Sequence, residues 1–293
     1  MAGVGGMLGE AFKEIFESDF EIKCTDKDLN AEWLSYLDFR DFSSYRSQVQ
    51  EFKPDYLFHI GAHTGLEYCE SNIDDAYLTN TISVQYATWI ANSLNIPLLY
   101  ISTAGIYDGS KETYDDWDLP NPLGVYARSK FLGEKFVEGN ANKYLILRAG
   151  WMMGGGPNKD KKFIGKLMAQ INSGVSELNI VNDKDGTPTY TIDFAKTCKD
   201  LLEQEMWGLY NCVCQGETSR LEVARELLKV LGVEDQISIN EVTSDFFAKE
   251  YFAARPASER LINKKLHLMG YNKMSPWEDS LKDYVSERFR NIV

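Results

Sequence analysis

The chain begins "MAGVGGMLGEAF" (residues 1–12), in which Gly3, Gly6 and Gly9 are each three positions apart. The segment that follows the glycines predicts a helix. A glycine run of this kind typically forms the turn between a buried strand and the helix after it. Only two residues precede the run, so we expect the first strand of the fold to be truncated or missing.

Short apolar segments alternate with helical patterns through the first half of the chain. The predicted strands cover residues 20–24, 55–60, 97–102 and 143–148. The predicted helices cover residues 41–52, roughly 71–94, and 125–139. This alternation predicts an α/β fold with a Rossmann-type, doubly wound parallel sheet. Ligands of such sheets bind at the carboxyl ends of the strands.

The pattern loosens after residue 148. A glycine-rich loop comes first, with four lysines in or close to it. Further strands are predicted at 177–181 and 208–213, with a helix at 190–206 between them. Three later helices are predicted at 219–232, 258–269 and 276–290. We predict a Rossmann domain at 1–150, to which 190–213 returns, and a smaller C-terminal substrate-binding region formed by 151–189 and 214–293.

The composition excludes several classes of protein. The chain has 293 residues and a formal net charge of −13, which argues against nucleic-acid binding. No apolar run approaches the roughly 18–20 residues that a membrane span needs, and no secretory signal is visible. Five cysteines and three histidines are scattered without the spacing of a metal site. These features predict a cytoplasmic protein that binds neither metal, membrane nor nucleic acid.

The segment "VYARSK" places Tyr126 and Lys130 four residues apart on a predicted helix, so their side chains share a face. A nearby ammonium would lower the pKa of the phenol and suit it to proton transfer. The same spacing also occurs on ordinary helix surfaces. Ser102 and Thr103 end a predicted strand, where a hydroxyl could bind a substrate oxygen or simply cap a turn.

The glycine turn, the two hydroxyls, the tyrosine and the lysine occur in an order that resembles the extended short-chain dehydrogenase/reductase family. Within that family, "NDKDGTPT" (182–189) and "RPASERL" (255–261) are similar to segments of the dTDP-4-dehydrorhamnose reductase branch. The resemblance implies that NADPH or NADH reduces the C4 ketone of a nucleotide-linked 4-keto-6-deoxy sugar. It leaves a homodimer open.

The resemblance also implies roles for individual residues. Tyr126 would donate the proton, Lys130 would bind the nicotinamide ribose, and Thr103 would hold the ketone oxygen. Thr103, Trp151 and Arg255 would face the sugar nucleotide. The implied cofactor-binding residues are Gly3, Gly6, Met7, Leu8, Gly9, Asp26, Lys27, Asp38, Phe39, Gly61, Ala62, His63, Asn80 and Ser102.

Some positions leave alternatives open. Asp26 favours a free ribose hydroxyl and NAD, whereas Lys27 favours a 2′-phosphate and NADP. Ala104 stands where the family usually has aspartate, and the loop after Trp151 is unusually rich in lysine. These departures leave the identity of the sugar and of the nucleotide base open. An NAD-dependent epimerase or dehydratase, and a non-catalytic regulatory subunit of the same fold, are the alternative functions.

The first strand of such a fold lies in the middle of the sheet and buries about four large apolar side chains. At about 1.5–3 kcal/mol each, their loss would cost roughly 6–12 kcal/mol. A whole domain is stable by only about 5–15 kcal/mol. We therefore expect the natural polypeptide to begin upstream of Met1, and the chain as given to bind its cofactor poorly.

Overall fold

The structure of the chain, a computed structural model, describes residues 1–289. Its helices are α1 (Met7–Phe16), α2 (Phe42–Phe52), α3 (Leu66–Ser71), α4 (Ile73–Tyr77), α5 (Ser83–Leu94), α6 (Val125–Asn140), α7 (Gly156–Lys159), α8 (Phe163–Asn172), α9 (Thr191–Glu203), α10 (Arg220–Leu231), α11 (Lys264–Leu268) and α12 (Trp277–Arg288). A π-helical segment, Leu78–Ile82, joins α4 to α5, and 3-10 turns lie at Ala104–Ile106 and Ser244–Phe247.

Most strands are short. They are β1 (Thr25–Asp26), β2 (Ser35–Tyr36), β3 (Leu57–His59), β4 (Leu98–Thr103), β5 (Tyr144–Ala149), β6 (Trp151–Met153), β7 (Glu177–Val181), β8 (Asp185–Gly186), β9 (Pro188–Tyr190), β10 (Gly208–Asn211), β11 (Thr218–Ser219), β12 (Ser238–Val242) and β13 (Ser258–Glu259). Among the helices, the long stretch predicted at 71–94 is present as α4, the π-helical segment and α5.

The central sheet contains four parallel strands in the order β10-β5-β4-β3. Their side chains alternate between two apolar cores, because successive residues of a strand point to opposite faces. Leu99, Leu145 and Leu147 pack with α1 and α9 on one face. Tyr100 and Ile146 pack with α2, α5 and α6 on the other. The predicted α/β fold with a doubly wound parallel sheet is confirmed.

Ala2 connects the main sheet to the β1–β2 pair. Its N–H donates to the carbonyl oxygen of Phe58 at 2.8 Å, and the N–H of Gly3 donates to the carbonyl oxygen of Thr25 at 2.8 Å. Parallel bridges link Ala2 to Thr25 on one side and to His59 on the other. The strand order across the whole sheet is therefore β2-β1-Ala2-β3-β4-β5-β10.

The strand predicted at residues 20–24 is wrong, because pairing starts only at Thr25. A strand needs a neighbour that supplies hydrogen bonds, and the sheet position next to this segment is a cavity of about 200 Å³. The α-amino group of Met1 reaches over the cavity and donates to the carbonyl oxygen of Lys23 at 2.8 Å. The apolar side chains that line the cavity include Phe16, Phe20, Ile22, Val49, Tyr56 and Phe58.

The C-terminal part of the chain adds three small sheets, β6–β9, β12–β7 and β11–β8–β13. The helix predicted at 258–269 is wrong in its first half, because Ser258 and Glu259 pair with β8 as a parallel strand. Only α11 remains of that helix. The division into two domains stays a prediction. Within residues 1–289, every helix is too short or too polar to cross a membrane.

Candidate active site

The glycine turn leads directly into α1. Gly3, Gly6 and Gly9 have different surroundings, which explain in different ways why a side chain is missing there. Gly3 has a φ of +76°, which favours glycine. A Cβ on Gly9 would lie 1.9 Å from the carbonyl oxygen of Val4, so only glycine lets the helix pack this closely. A Cβ on Gly6 would meet nothing within 4 Å, so the approach to the backbone is open there.

The N-terminus of α1 is available to an anion. Gly6 is the N-cap residue and makes no side-chain cap, so none of the described side chains caps this end of the helix. Free N–H groups and the helix dipole favour a phosphate at such a position. Among the described residues, the buried hydroxyl of Ser102 has no hydrogen-bond partner, and it lies at the carboxyl end of β4. The residues present therefore fit a dinucleotide cofactor.

Asp26 supports the glycine turn. Its carboxylate accepts hydrogen bonds from the N–H groups of Gly5 at 2.8 Å and Asp28 at 3.0 Å, while Lys27 is exposed. Lys159 was not predicted, yet its Nζ donates to the carbonyl oxygen of Gly5 at 2.6 Å. The lysine-rich loop therefore brings a positive charge to the glycine turn, which no local pattern indicates.

Phe39 and Asp38 lie beside the loop that follows β3. A Cβ on Gly61 would lie 2.3 Å from the Phe39 ring, which also contacts His59 edge-on at 4.9 Å between centroids. The guanidinium of Arg40 binds both carboxylate oxygens of Asp38 and holds the pKa of that carboxyl below its ordinary value. Asp38 is thus already paired, while Phe39 forms a ring surface next to the glycine turn.

The buried side chain of Asn80 links the loop after β3 to α6 by hydrogen bonds. Its side chain accepts from the N–H of His63 at 2.8 Å and donates to the His63 carbonyl oxygen at 3.0 Å. It also donates to the Ser129 hydroxyl on α6 at 3.1 Å. Asn80 is fully buried. It therefore fixes the backbone next to Ala62, which is partly exposed, and does not itself present a free polar group.

The structure brings two of the three predicted catalytic residues, Thr103 and Tyr126, together, and it places Lys130 against the Tyr100 ring. Thr103 ends β4, Tyr126 is the second residue of α6, and Lys130 lies one turn later. A Cβ on Gly105 would lie 3.5 Å from the Thr103 hydroxyl oxygen and 3.9 Å from Cε1 of Tyr126. The Lys130 side chain is only 3% exposed, and its ammonium lies 4.2 Å from the centroid of the Tyr100 ring.

The expected lowering of the Tyr126 pKa by Lys130 is not met in this structure. Burial raises the pKa of Tyr126 to about 12, a hydrogen bond with Thr103 opposes that shift, and the Glu259 carboxylate adds to it. Burial also lowers the pKa of Lys130 to about 7, against the attraction of Glu134. The desolvation of both groups outweighs their charge interactions here.

Two acidic residues hold α6 in place, and the sequence analysis did not identify either of them. The carboxylate of Glu70 accepts a hydrogen bond at 2.7 Å from the N–H of Val125, the first residue of α6. Glu134, two turns after Tyr126, forms a buried ion pair with Arg148 of β5 at 2.6 Å. These contacts fix both ends of the segment that carries the tyrosine and the lysine.

Near Trp151, which was predicted to face the substrate, an acidic and a basic side chain contact the indole ring system. The indole Nε1–H of Trp151 donates to Glu259 at 2.7 Å. The guanidinium of Arg220 lies 3.7 Å from the centroid of the Trp151 ring and 4.6 Å from that of Phe163. Within residues 1–289, this guanidinium has no hydrogen-bond or ion-pair partner.

Arg255 is in contact with an acidic group. Its Nη1 lies 2.7 Å from the Glu67 carboxylate and donates to the carbonyl oxygen of Ala253 at 2.9 Å. Its side chain is 28% exposed, so the rest of the guanidinium can still be reached. The sequence indicated Trp151 and Arg255 but missed Arg220 and Glu259, because their convergence depends on the pairing of β8 with β11 and β13.

Comparison with known proteins gives consistent results along the chain. A family model described as "RmlD substrate binding domain" matches residues 1–289. The dTDP-4-dehydrorhamnose reductase of Aggregatibacter actinomycetemcomitans is 27% identical over 97% of this chain and 96% of its own length.

Two solved structures are similar to the present fold. The dTDP-4-dehydrorhamnose reductase of Yersinia enterocolitica is 29% identical, covers 97% of both chains and gives a TM-score of 0.86. The dTDP-4-dehydrorhamnose reductase of Bacillus anthracis, in complex with NADP, is 28% identical and gives a TM-score of 0.88. It covers 98% of this chain and 97% of its own.

Proposed function

The chain belongs to the RmlD substrate binding domain family, and from this premise we propose that it is an NAD(P)H-dependent dTDP-4-dehydrorhamnose reductase. The reaction is the reduction of the C4 ketone of a nucleotide-linked 4-keto-6-deoxy sugar, a step in the biosynthesis of deoxysugar precursors of polysaccharides. The relatives that carry this name match the chain almost end to end.

One observation carries the proposal. The hydroxyl of Thr103 and the ring of Tyr126 surround the same point above Gly105, at the carboxyl end of β4. Lys130 lies one helical turn beyond the tyrosine, and the open glycine turn begins α1 at the same edge of the sheet. This is where a parallel α/β sheet binds its ligands.

The chain's own residues supply the proton and the positioning. Tyr126 donates its phenolic proton to the oxygen that was the ketone, and Thr103 holds that oxygen by a hydrogen bond. Lys130 lies one helical turn beyond Tyr126, and we assign its ammonium to the ribose of the nicotinamide. The cofactor, when bound, supplies a hydride.

The cofactor would be held along the glycine turn. The open backbone at Gly6 and the free first turn of α1 suit the pyrophosphate. The Phe39 ring offers a face to the adenine, and Ser102 has a free hydroxyl. Lys159 adds a positive charge. The proposal includes both NADPH and NADH, since these residues do not exclude either.

Two arginines are suited to the diphosphate of the sugar nucleotide, because a guanidinium can bind two oxygens at once. We assign the larger share to Arg220, whose N–H groups have no hydrogen-bond or ion-pair partner in the described part of the chain, and the smaller share to Arg255, which is paired with Glu67. Trp151 contacts the Arg220 guanidinium with its ring and the Glu259 carboxylate with its indole N–H. The proposal also includes a cytoplasmic enzyme without nucleic-acid partners, and it leaves a homodimer open.

The alternative functions are less well supported. A non-catalytic regulatory subunit would have no need of a hydroxyl, a phenol and a buried lysine at one edge of the sheet. An epimerase would return its product without net oxidation of the cofactor. The relatives named above carry the name of a reductase, and this favours net reduction.

The test is a spectrophotometric assay of NADPH and NADH oxidation with dTDP-4-dehydrorhamnose. The proposal predicts stoichiometric oxidation of the reduced cofactor and formation of dTDP-rhamnose. A Thr103→Val variant is expected to lose most of this rate while it still binds the cofactor. Cofactor binding without any oxidation would contradict the proposal and favour the regulatory subunit.

A further inference from the structure

Glu259 lies beside Thr103 and Tyr126, and only one of its two carboxylate oxygens accepts a hydrogen bond from the described residues. Oε2 accepts the indole N–H of Trp151 at 2.7 Å. Oε1 would lie 3.3 Å from a Cβ on Gly105, the same point that the Thr103 hydroxyl and the Tyr126 ring surround. Within the described residues, Oε1 has no hydrogen-bond donor. A fixed, ionisable acceptor therefore faces the position of the reacting carbonyl.

The pairing of strands explains why the carboxylate stays there. Glu259 ends β13, whose partner β8 contains Gly186. A Cβ on Gly186 would lie 2.2 Å from the Trp151 ring, so the ring is held firmly against β8. The indole in turn holds Oε2 of Glu259. The orientation of the carboxylate is thus set by the fold before any ligand binds.

Within residues 1–289, the Glu259 carboxylate has no ion-pair partner. Arg220 interacts with it electrostatically but lies over the face of Trp151 and makes no ion pair with it. A carboxylate accepts hydrogen bonds and cannot donate them when it is ionised. An unfilled acceptor in a partly buried pocket calls for a donor from the ligand, because an unpaired buried charge is costly.

We infer that Glu259 is a specificity-determining residue that selects a sugar with a hydroxyl on the carbon next to the reacting ketone. This inference rests on the proposed function, which places the C4 ketone at Thr103 and Tyr126. The carbons on either side of C4 are C3, which bears a hydroxyl, and C5, which bears the methyl group. The C3 hydroxyl is therefore the group that donates a hydrogen bond to Oε1 of Glu259.

The competing explanation is that Glu259 only orients Trp151. In that case the residue would act on every substrate alike, whatever its C3 substituent. A pair of ligands that differ only at C3 separates the two explanations, since only a direct contact is sensitive to the hydroxyl.

The experiment measures kcat/KM for a dTDP-linked 4-keto-6-deoxy sugar and for its 3-deoxy analogue, with the parent enzyme, Glu259→Ala and Glu259→Gln. For the hydroxylated sugar, Glu259→Ala is expected to lose about 10- to 150-fold, the usual effect of a charge-assisted hydrogen bond. For the 3-deoxy analogue the loss is expected to stay within about threefold. Glu259→Gln, whose amide oxygen still accepts, is expected to lose less than the alanine variant.

Trp151→Phe is the comparison variant, because it removes the indole N–H that holds Oε2 of Glu259 but keeps the ring packing. It is expected to lower kcat/KM more for the hydroxylated sugar than for the 3-deoxy analogue, and by less than Glu259→Ala, because the carboxylate stays but loses the contact that orients it. Affinity for NADPH and the unfolding temperature are measured for each variant, and neither should change appreciably. If Glu259→Ala does not fold, the glutamine variant alone still tests whether the loss depends on C3.

Binding of the reduced product, dTDP-rhamnose, and of its 3-deoxy analogue is measured by calorimetry in parallel. If binding prefers the C3 hydroxyl and this preference depends on Glu259, the inference is supported. Failure of the turnover assay alone would refute only the proposed function. Equal losses on both ligands, in rate and in binding, would overturn the inference. Failure of the parent chain to bind either ligand would overturn both.

Discussion

At the residue scale, the proposed reaction takes its proton from Tyr126. Tyr126→Phe keeps the ring and removes the hydroxyl, so we expect the reductase rate to fall by about 10²–10⁴-fold. Cofactor affinity should change little, since the phenol is not needed to hold the dinucleotide. Steady-state rates and a cofactor titration on the same preparation check this. A variant that keeps a third of the parent rate would remove Tyr126 from the mechanism.

The charge of Glu259 gives a pH prediction for the same tyrosine. The carboxylate contributes to the raised pKa of Tyr126, so Glu259→Gln should lower that pKa. An acid must be protonated to act, and the rate falls as pH rises through its pKa. The alkaline limb of the pH–rate profile should therefore begin at a lower pH in the variant. Superimposable alkaline limbs would contradict the electrostatic contact between the two residues.

Lys130 is expected to lower stability in exchange for function. Burial lowers its pKa to about 7, whereas a free lysine titrates near about 10.4. Between these values the unfolded chain binds the extra proton, so stability rises with pH there and the full cost is present below pH 7. Lys130→Met should be more stable than the parent at pH 6, by about 3–5 kcal/mol.

The measurement is urea unfolding of Lys130→Met and parent at pH 6, 8 and 9.5. The stability difference should shrink steadily as the pH rises. Parallel stability curves for the two proteins would show that Lys130 is not held in a desolvated environment. The variant should also bind NAD(P)H more weakly, which a separate titration tests.

Arg220 and Arg255 are expected to contribute unequally to substrate affinity. Arg220→Met should raise the KM for the sugar nucleotide by about 10- to 150-fold, because a charge-assisted contact is lost. Arg255→Ala should raise it less, since that guanidinium already contacts Glu67 at 2.7 Å. Arg225→Met on the same helix, an exposed residue paired with Glu241, is the control. An unchanged KM in Arg220→Met would refute the assignment.

At the element scale, α6 is held by the buried ion pair between Glu134 and Arg148. Arg148→Met leaves the Glu134 carboxylate buried without a partner, which typically costs about 3–5 kcal/mol. Lys135→Met breaks the exposed pair with Glu138 on the same helix and should cost no more than about 1 kcal/mol. Denaturant unfolding compares the two variants, and similar losses would contradict the structural importance of the buried pair.

The sequence predicted the elements of the sheet well wherever periodicity was strong. The apolar strands β3, β4 and β5 and the long helices could be predicted because their pattern reflects two buried faces. Residues 20–24 have the same pattern, yet they form no strand, and a cavity lies beside them in the described structure. Ser258 and Glu259 lack any strand pattern, since their pairing with β8 is set by tertiary contacts.

The candidate site divides in the same way. The glycine turn, Thr103, Tyr126 and Lys130 could be named as candidates because their order along the chain resembles a known family, whereas the spacing of Tyr126 and Lys130 alone also fits an ordinary helix surface; their roles stay predictions. Arg220 and Glu259 come from distant parts of the chain and converge only through strand pairing. No spacing rule on a single sequence indicates such a contact, so these two residues could be found only from the structure.

At the scale of the whole molecule, the cavity beside Met1 interrupts the middle of the sheet. Its apolar walls, and the backbone of residues 20–23 that forms no strand, suit an extended, apolar segment. A chain with about six β-branched residues added before Met1 should therefore melt at a higher temperature and bind NAD(P)H more tightly. The added strand would bury apolar side chains worth about 1.5–3 kcal/mol each.

The control for that extension is a segment of the same length made of glycine and serine, which cannot fill the cavity with apolar groups. Thermal melts and cofactor titrations compare the three chains. Equal melting temperatures and equal affinities would show that the glycine turn functions without a neighbouring strand in the sheet, and that the cavity is of no consequence for cofactor binding.

The central claim is that this chain catalyses net hydride transfer to the C4 carbon of a nucleotide-linked 4-keto sugar. The most direct measurement uses NADPH with deuterium at the transferable position and identifies the product by NMR and mass spectrometry. The account predicts dTDP-rhamnose with one deuterium at C4 and one equivalent of oxidised cofactor. A sugar product without deuterium, or no oxidation of the cofactor, would contradict it.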